Sequence, residues 1–491
     1  MRNPIEGKNI VIIGSGIGGL SAGIILSLLN FRVTVVEKNP LPGGLMRSYR
    51  RSGIDCPVGV HYVGALGEKE PLGKIFQVLG IPVDKLFTPM GQEGIIDRYI
   101  FDDLIFDLPT SIDALEKNLR SIFPEDTAAL NIIMKNLREI SRHMIEPSFL
   151  FNQGDPFQNM DYYQSMGELL DSLHVSAGLR AVLSVPCQLI GVPLSDCPVI
   201  FHHMVLASYL FSSWRLKESG SKMTEAFVSR LRESGGSLIL NNGVKKISIS
   251  DGKVAGVTLE SGTDLQADAI VAAIHPKILL NLLDENDLRE SFRKRILGLK
   301  ETEGVIAVQI SVDATKHPEI NHNIYRLHKD ENGFIEDGVF YQLRDGISHG
   351  ANLLSIITKS LYSDWSQWEN TVSGQRGKAY EEKKTSIADS LLKKAQEIFG
   401  DLKDARIIDV YTPLTIRDYV NCPEGACYGI MRSSRQLLKA ISLNNIPISG
   451  LCLAGQNALA PGVLGSIMGS FNAARHIIGA ERFAEEIKWD M

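Results

Sequence analysis

The segment 9-NIVIIGSGIGGLSAGIILSLLNFRVTVVEKN-39 decides the fold of this chain. A β-branched run at 9–13 leads at once into the glycine-rich turn 14–19, and a helix-like apolar stretch follows. A second strand-like run ends at Glu37, which stands 23 residues after Gly14. Strand, glycine turn, helix and a second strand that ends in an acid predict a dinucleotide-binding βαβ unit, rather than glycines that only serve a turn.

Each position of the turn has a physical role. Gly14 permits the tight turn, Gly16 leaves room for a pyrophosphate, and Gly19 lets the helix pack close to the strand. The helix N-terminus offers unpaired N–H groups and a partial positive charge to the phosphates. The Glu37 carboxylate suits both hydroxyls of the adenosine ribose and would repel a 2′-phosphate, which disfavours NADP. The residues of this segment that we expect to contact the cofactor are Gly14, Ser15, Gly16, Gly18, Gly19, Glu37 and Lys38.

A second glycine pair follows the acidic residue. Gly43-Gly44 and then Arg47 lie within the run LPGGLMRSYRRSGIDCPVGVHYVG. Such a return of the chain past the cofactor is a feature of flavoproteins and differs from a plain second βαβ unit. The pair therefore favours FAD over NAD, and we expect Gly43, Gly44 and Arg47 to contact the FAD.

Together with Asp55-x-x-x-Gly59-x-His61, these motifs resemble those of the FAD-dependent phytoene desaturase, carotenoid isomerase and retinol saturase (all-trans-retinol 13,14-reductase) family. The resemblance implies that the strand from Val244 contacts the adenine and that 451–469 form the closing strand, loop and helix beneath the flavin. Members of the family commonly carry an acid where this chain has a glutamine after Ala-Gly, and Gly-Gln there favours the retinol saturase and carotenoid isomerase branch. The FAD contacts so implied are Val244, Gly455, Gln456 and Gly465.

The cofactor motifs are far apart, so the cofactor domain must be assembled from separate segments. We expect an α/β protein in which a Rossmann-type FAD-binding domain, glutathione-reductase-like or amine-oxidase-like, is interleaved with an α+β substrate domain. The FAD-binding domain is assigned to 1–80, 216–276 and 446–491. The substrate domain is assigned to 81–215 and 277–445, with helices predicted over 110–123 and 128–144. The substrate pocket is expected where the two domains meet.

Flavin carries the hydride chemistry, so the protein needs only to position an apolar substrate and shield it. The run 422–429 resembles a family segment near the flavin ring, and Arg417 and Tyr428 are predicted to face the substrate. His61 is predicted near the flavin by the same resemblance. The alternatives are a salt-bridged surface arginine, a packed tyrosine and a histidine satisfied in a turn. Cys427-Tyr428 also resembles the pair by which some amine oxidases hold flavin covalently, but the flanking glycines fit the non-covalent desaturase pattern better.

Composition excludes several classes of protein. The chain of 491 residues has 51 Lys and Arg against 57 Asp and Glu, a net charge of −6, which argues against nucleic acid as a partner. Six cysteines without repeated C-x-x-C spacing argue against a disulfide framework or a zinc site, and the neighbours His202 and His203 are not expected to bind metal. The sequence shows no signal peptide and no membrane-spanning run, so a cytoplasmic location is predicted.

The segment 198–214, PVIFHHMVLASYLFSSW, is apolar and aromatic. Three interpretations stay open for it. It lines a tunnel for a long apolar substrate, it rests peripherally on a membrane surface, or it is a buried core helix. On the first two interpretations, Leu206 and Leu210 are expected to face the substrate or the membrane.

These observations predict an FAD-dependent oxidoreductase that saturates, desaturates or isomerises carbon–carbon bonds of an apolar isoprenoid or polyene. One alternative is a flavin amine oxidase, and another is a flavin-binding redox or scaffold protein without turnover of a small molecule. The expected partner is a hydrophobic small molecule. Because only one dinucleotide fingerprint is present, electrons are expected to enter or leave through the same flavin pocket, and the sequence does not choose the donor or acceptor.

Overall fold

The computed structural model describes residues 7–146, 160–348 and 350–487. The strands of these residues are β1 (Asn9–Ile13), β2 (Arg32–Val36), β3 (Ser48–Arg51), β4 (Ile54–Pro57), β5 (Val63–Gly64), β6 (Phe87–Pro89), β7 (Ile95–Ile100), β8 (Ile105–Pro109), β9 (Ser213–Leu216), β10 (Ser237–Ile239), β11 (Val244–Ser250), β12 (Lys253–Leu259), β13 (Asp264–Gln266), β14 (Ala269–Ala272), β15 (Gly304–Asp313), β16 (Asn323–Lys329), β17 (Ile335–Ser348), β18 (Ala351–Ser360), β19 (Arg406–Tyr411) and β20 (Leu451–Leu453).

The α-helices of the same residues are α1 (Ile17–Leu28), α2 (Pro71–Leu79), α3 (Val83–Leu86), α4 (Ile112–Ile122), α5 (Thr127–Ile145), α6 (Met166–Ser172), α7 (Ala177–Gln188), α8 (Val199–Phe211), α9 (Gly220–Glu233), α10 (Pro276–Leu279), α11 (Glu290–Leu297), α12 (Lys378–Phe399), α13 (Pro413–Val420), α14 (Leu437–Ile441), α15 (Gly462–Ile478) and α16 (Ala480–Glu486).

A five-stranded parallel sheet carries the glycine turn. Its strand order is β10-β2-β1-β14-β20, and each neighbouring pair is parallel. The central strands β1 and β14 are apolar and buried, as expected where both faces of a parallel sheet are covered. The strands come from the three chain segments assigned above to the cofactor domain, while the exact domain boundaries stay predictions. Helix α1 connects β1 to β2, so the turn lies at the carboxyl end of β1.

Helix α1 packs at very short range against the turn that precedes it. A Cβ on Gly19 would lie 1.9 Å from the Gly14 carbonyl oxygen, so only glycine permits this approach. Helix α15 secures the other side of α1, because the Ser470 hydroxyl donates to the Gly18 carbonyl oxygen at 2.6 Å. These contacts fix the direction in which the first turn of α1 points.

A seven-stranded mixed sheet forms the second large layer. Its order is β19-β15-β18-β17-β16-β7-β8. Strands β7 and β8 precede residue 215 and the other five strands follow residue 277, so two distant segments of the chain build one sheet. Helix α12 packs on this sheet with the residues of a separate apolar core. The pairing of β7 with β16 is parallel and places Asp97 opposite Asn323 and Tyr99 opposite Tyr325.

The first insert contains the two helices that the sequence predicted, beside the strands β7 and β8. Helices α4 and α5 occupy the expected stretches 110–123 and 128–144 to within a few residues. They pack with α8 in the largest apolar core of the described residues. Helix α8 therefore stands between this core and the space that separates the two large sheets.

Candidate active site

One large cavity of about 1270 Å³ lies between the two large sheets. Its wall includes the glycine turn of the five-stranded sheet and residues of β17 and β18 of the seven-stranded sheet. Pockets for a single small molecule usually measure roughly 300–1,000 Å³. The cavity therefore has room for a large cofactor together with a substrate.

Gly16 forms the floor of the cavity at its polar end. Its φ of −64° and ψ of 175° are extended backbone that any residue adopts. A Cβ built at this position meets no atom within 4 Å. The fold therefore does not require glycine here, whereas a pyrophosphate laid against the turn does, because a side chain would occupy its space.

The N-terminus of α1 opens into the same end of the cavity. No side chain caps this helix and no acidic residue lies in its first turn. Its first N–H groups and the positive end of the helix dipole are thus free to bind phosphate oxygens. Gly14, Ser15, Gly16 and Gly18 all line the cavity here, and Gly19 lies one residue behind them and packs against the turn.

Glu37 is held beside the turn by three hydrogen bonds. Its Oε2 accepts from the Ser15 backbone N–H at 3.0 Å and from the Ser15 hydroxyl at 2.7 Å, and its Oε1 accepts from the Asn39 N–H at 2.9 Å. The carboxylate lines the cavity and is 7% exposed. Each carboxylate oxygen has further acceptor capacity, which suits ribose hydroxyls. Lys38 and Val244 line the same end.

The second glycine pair brings the chain back against the turn. Gly43 has a φ of +110° and Gly44 a φ of +53°, both in the left-handed region that favours glycine. The Gly43 N–H donates to the Ser15 carbonyl oxygen at 3.0 Å, and a Cβ on Gly44 would lie 3.3 Å from the Gly16 Cα. Both glycines line the cavity, so the return loop and the turn face the same ligand space.

The closing loop after β20 completes this end. A Cβ on Gly18 would lie 2.4 Å from the Gly455 Cα, so the loop abuts the start of α1. Gly455, Gln456 and Gly465 line the cavity. The buried Arg432 guanidinium donates from Nη2 to the Gln456 carbonyl oxygen at 3.2 Å, which holds the loop in place.

Two of the predicted site residues lie elsewhere. The Arg47 guanidinium donates to the carbonyl oxygens of Leu41 and Tyr419 and is not part of the cavity wall. Arg417 also lies outside the wall, where it pairs with Asp418 and donates to the Tyr362 hydroxyl. This placement agrees with the alternative of a salt-bridged arginine, and a role of Arg417 toward the substrate stays a prediction.

Tyr428 and His61 do line the cavity. Tyr428 is held by its backbone N–H, which donates to the Thr302 hydroxyl at 3.2 Å, and its ring packs over Gly191. Burial, aided by the nearby Arg344 guanidinium, lowers the pKa of His61 to about 4, so its imidazole is neutral at neutral pH. Its Nδ1 is buried without a hydrogen-bond partner among the described residues.

Helix α8 supplies much of the apolar wall. The residues of α8 that line the cavity are Ile200, Phe201, Met204, Val205, Ser208 and Tyr209. Leu206 and Leu210 are 4% and 3% exposed and lie in the core on the opposite face. The expectation that these two leucines face the substrate is therefore wrong, because both are packed in the apolar core. One face of α8 thus lines the cavity and the other belongs to the core, and binding of a long apolar substrate along the first face stays a prediction.

His202 and His203 belong to the core face of α8. Their Nδ1 atoms lie 2.8 Å apart, and the His202 Nε2 lies 2.7 Å from the Leu183 carbonyl oxygen. Burial lowers the pKa of His202 to about 4, so the pair is a neutral hydrogen-bonded unit. Within 7–146, 160–348 and 350–487, no group of three or more His, Cys, Asp or Glu side chains is arranged to hold a metal ion.

A polar network that no sequence pattern predicted lies behind the apolar wall. Asp97 is 1% exposed and accepts from the Asn323 amide at 2.8 Å and from the Tyr62 hydroxyl at 3.0 Å. The Tyr62 and Tyr325 hydroxyls lie 3.0 Å apart, and both tyrosines line the cavity. An aspartate inside the apolar run IIDRYIF was the available signal, since a buried carboxyl is rare without partners.

Among the described residues, no helix combines the length and the apolar character needed to cross a membrane.

Comparison with known proteins gives one family and two groups of relatives. The family model described as "Flavin containing amine oxidoreductase" matches residues 17–478. The chain is 24% identical to all-trans-retinol 13,14-reductase of Macaca fascicularis, with 98% of this chain and 87% of the relative covered. It is 25% identical to chloroplastic prolycopene isomerase 1 of an Oncidium hybrid cultivar, with 93% and 82% covered.

Solved structures share the fold. An oxidoreductase from Methanosarcina mazei superposes with a TM-score of 0.70 at 15% identity, over 95% of this chain and all of that one. These likenesses confirm the family resemblance and the fold class that the sequence predicted. The family description names flavin, which is the class of cofactor that the glycine turn, the acid and the return loop fit.

Proposed function

This chain belongs to the flavin-containing amine oxidoreductase family, and from that premise we propose that it is an FAD-dependent oxidoreductase acting on carbon–carbon bonds of an apolar isoprenoid or polyene. Its relatives all-trans-retinol 13,14-reductase and prolycopene isomerase are named for such substrates. When bound, FAD would supply two-electron chemistry at a carbon centre. The remaining tasks, which are binding, orientation and exclusion of water, fall to residues of this chain.

FAD rather than a smaller flavin is supported by the two separate anchor points at the polar end. The pyrophosphate would lie on Gly16 and the N-terminus of α1, and the adenosine ribose would bond to Glu37. Val244 would border the adenine, and the closing loop at Gln456 would border the flavin ring. A mononucleotide lacks the adenosine half and would leave Glu37 without a ligand.

The observation that carries the substrate class is the apolar wall opposite this end. Met204, Val205 and Tyr209 from α8 line the same cavity as Phe340 and Ile357 of the seven-stranded sheet. The acidic and basic side chains of the described wall lie at the cofactor end or are exposed at the rim, as Lys359 and Glu336 are. Burying ten methylene groups of a ligand contributes roughly 8 kcal/mol before the costs of binding. An apolar chain is thus held without a charged anchor.

The proposal is tested with purified protein that has been loaded with FAD. All-trans-retinol and prolycopene are incubated with it under reducing and under oxidising conditions, and products are separated by chromatography. Putrescine and cyclohexylamine serve as amine substrates in parallel. We expect a saturated, desaturated or isomerised polyene and no amine oxidation. Rapid oxidation of the amines without change of either polyene would instead identify an amine oxidase.

A further inference from the structure

The buried hydrogen-bond network around Asp97 runs from the protein interior to the wall of the cavity. Asp97 in β7 accepts from the Tyr62 hydroxyl, and this hydroxyl meets the Tyr325 hydroxyl of β16 at 3.0 Å. Both tyrosines line the cavity, whereas Asp97 lies behind them. The three groups thus form a continuous hydrogen-bonded chain from a carboxyl in the protein interior to the cavity wall.

The register of strands β7 and β16 positions the groups of this hydrogen-bonded series. The parallel pairing of β7 and β16 sets Asp97 opposite Asn323, and the Asn323 amide donates to Asp97 Oδ1 at 2.8 Å. The Gln342 amide of β17 donates in turn to the Asn323 Oδ1 at 3.0 Å. The neutral amides orient the carboxyl and leave its Oδ2 for Tyr62.

Among the described residues that affect the pKa of Asp97, none carries a positive charge. The titratable groups facing Asp97 are phenols: Tyr62 from the segment before β5, Tyr99 from β7, Tyr209 from α8 and Tyr325 from β16. Burial raises the pKa of Asp97 to about 7, although the hydrogen bonds from Asn323 and Tyr62 oppose the rise. Burial also raises the pKa of each phenol, so all four are neutral at neutral pH. The carboxyl is thus able to hold or release a proton near neutrality. Of the four phenols, only Tyr62 and Tyr325 are hydrogen-bonded in line between this carboxyl and the cavity.

We propose that Asp97, Tyr62 and Tyr325 form a proton relay that delivers a proton to a substrate carbon when a carbon–carbon double bond is saturated. This inference rests on the proposed function. It names Tyr325 as the catalytic end of the relay, Tyr62 as its middle member and Asp97 as the internal proton store.

The step balances in atoms and electrons. Saturation adds one hydride and one proton across the double bond. Bound flavin, once reduced by an external two-electron donor, would supply the hydride, so that the substrate gains two electrons. At the second carbon a C–H bond forms as the O–H bond of Tyr325 breaks. In the same step Tyr325 regains a proton from Tyr62, and Tyr62 regains one from the protonated Asp97 carboxyl. Asp97 is thereby left as the carboxylate that accepts from the Tyr62 hydroxyl, and it takes up a proton from the solvent before the next turnover.

The first test is single turnover of the FAD-loaded protein, reduced with dithionite and mixed with all-trans-retinol. Removal of a general acid typically costs between 10²- and 10⁴-fold in rate. We expect Tyr325→Phe to slow flavin reoxidation at least about 100-fold while retinol affinity and FAD content stay unchanged. Asp97→Asn should flatten the fall in rate that the wild type shows as pH rises through about 7. Tyr99→Phe is the matched control. Tyr99 lies on β7 together with Asp97, and its ring centroid is 5.6 Å from that of Tyr325, but it does not line the cavity.

The second test does not depend on turnover. The carbonyl stretch of a protonated carboxyl is followed by infrared difference spectroscopy of wild type against Asp97→Asn as the pH is varied. We expect a band that is present at pH 6, is lost by pH 9 and is absent from the variant. Titration of that band near pH 4 would overturn the proton store.

The outcomes separate the two proposals. A wild-type protein that changes neither retinol nor prolycopene overturns the proposed function, whatever the infrared titration gives. A wild-type protein that saturates retinol, with Tyr325→Phe and Asp97→Asn as fast as Tyr99→Phe, overturns the relay alone.

Discussion

Replacing Gly16 by valine separates the needs of the cofactor from those of the fold. The backbone at Gly16 has a φ of −64°, which valine adopts, and a Cβ there meets no atom within 4 Å. Valine is a poorer N-cap than glycine, so the cofactor-free protein should lose only about 1 kcal/mol of stability. The valine methyl groups, however, would fill the space in which the pyrophosphate contacts the N-terminus of α1.

The expected loss of FAD affinity is much larger. Displacing the pyrophosphate forfeits at least two hydrogen bonds from backbone N–H groups to a charged acceptor, each contributing about 1.5–3 kcal/mol. A loss of about 3 kcal/mol or more weakens binding by at least about 100-fold. FAD at 100 times its wild-type dissociation constant should stabilise the wild type by about 2.7 kcal/mol and the Gly16→Val variant hardly at all.

The assay is a titration of cofactor-free protein with FAD, followed by quenching of flavin fluorescence, with unfolding midpoints measured in parallel. Gly19→Ala is the control for the fold, because its Cβ would lie 1.9 Å from the Gly14 carbonyl oxygen. That variant should lose stability before any FAD is added, by about 1–3 kcal/mol as in other overpacked sites. Wild-type FAD affinity in Gly16→Val, or a loss of cofactor-free stability as large as that of Gly19→Ala, would refute the reasoning.

Three further predictions concern the cofactor linkage, the substrate wall and pH. Acid precipitation should leave the flavin in the supernatant, because burial raises the pKa of Cys427 to about 12 and keeps its thiol protonated; flavin that stays with the wild type but not with Cys427→Ala would contradict this. Met204→Glu should raise the KM for a polyene at least about tenfold without loss of FAD, since it places a charge in an apolar wall. Leu206→Glu should instead lower the unfolding temperature, because Leu206 lies in the core. Equal behaviour of the two variants in kinetics and thermal unfolding would contradict the assignment of a cavity face and a core face to α8. A pKa of about 7 for Asp97, above its unfolded value of 3.8, means that the folded state binds this proton more tightly. This proton then contributes on the order of 4 kcal/mol to the free energy of unfolding below about pH 4, and the contribution is lost by about pH 7. Plots of the free energy of unfolding against pH for wild type and Asp97→Asn should therefore diverge over this range. Parallel plots would exclude a raised pKa of Asp97.

Much of the cofactor end was predictable from contiguous residues. Gly14, Gly16 and Glu37 were identified because a tight turn, a close approach and the end of a strand are local requirements. Gln456 and Gly465 came from the family resemblance, and the structure places both in the wall of the cavity. Arg47 and Arg417 do not line this wall. Their long side chains donate to groups far away in the sequence, the Tyr419 carbonyl oxygen and the Tyr362 hydroxyl, and no local pattern predicts such partners.

The apolar half of the site depended on packing. The segment 198–214 is apolar all round, so its helical period carries no contrast between a core face and a cavity face. Only the tertiary structure shows that Val205 lines the cavity and that Leu206 lies in the core.

The amino-acid sequence alone was enough for the βαβ unit, its glycine turn and the class of cofactor, because these depend on backbone conformations and spacings within some forty neighbouring residues. The meeting of Asp97 with Asn323 and Tyr62 was decided by the tertiary structure. It arises from the register of two parallel strands, β7 and β16, whose paired residues Asp97 and Asn323 are 226 positions apart in the chain. Side-chain direction alternates along a strand, so a shift of one residue in that register would have turned the carboxyl away from its partners.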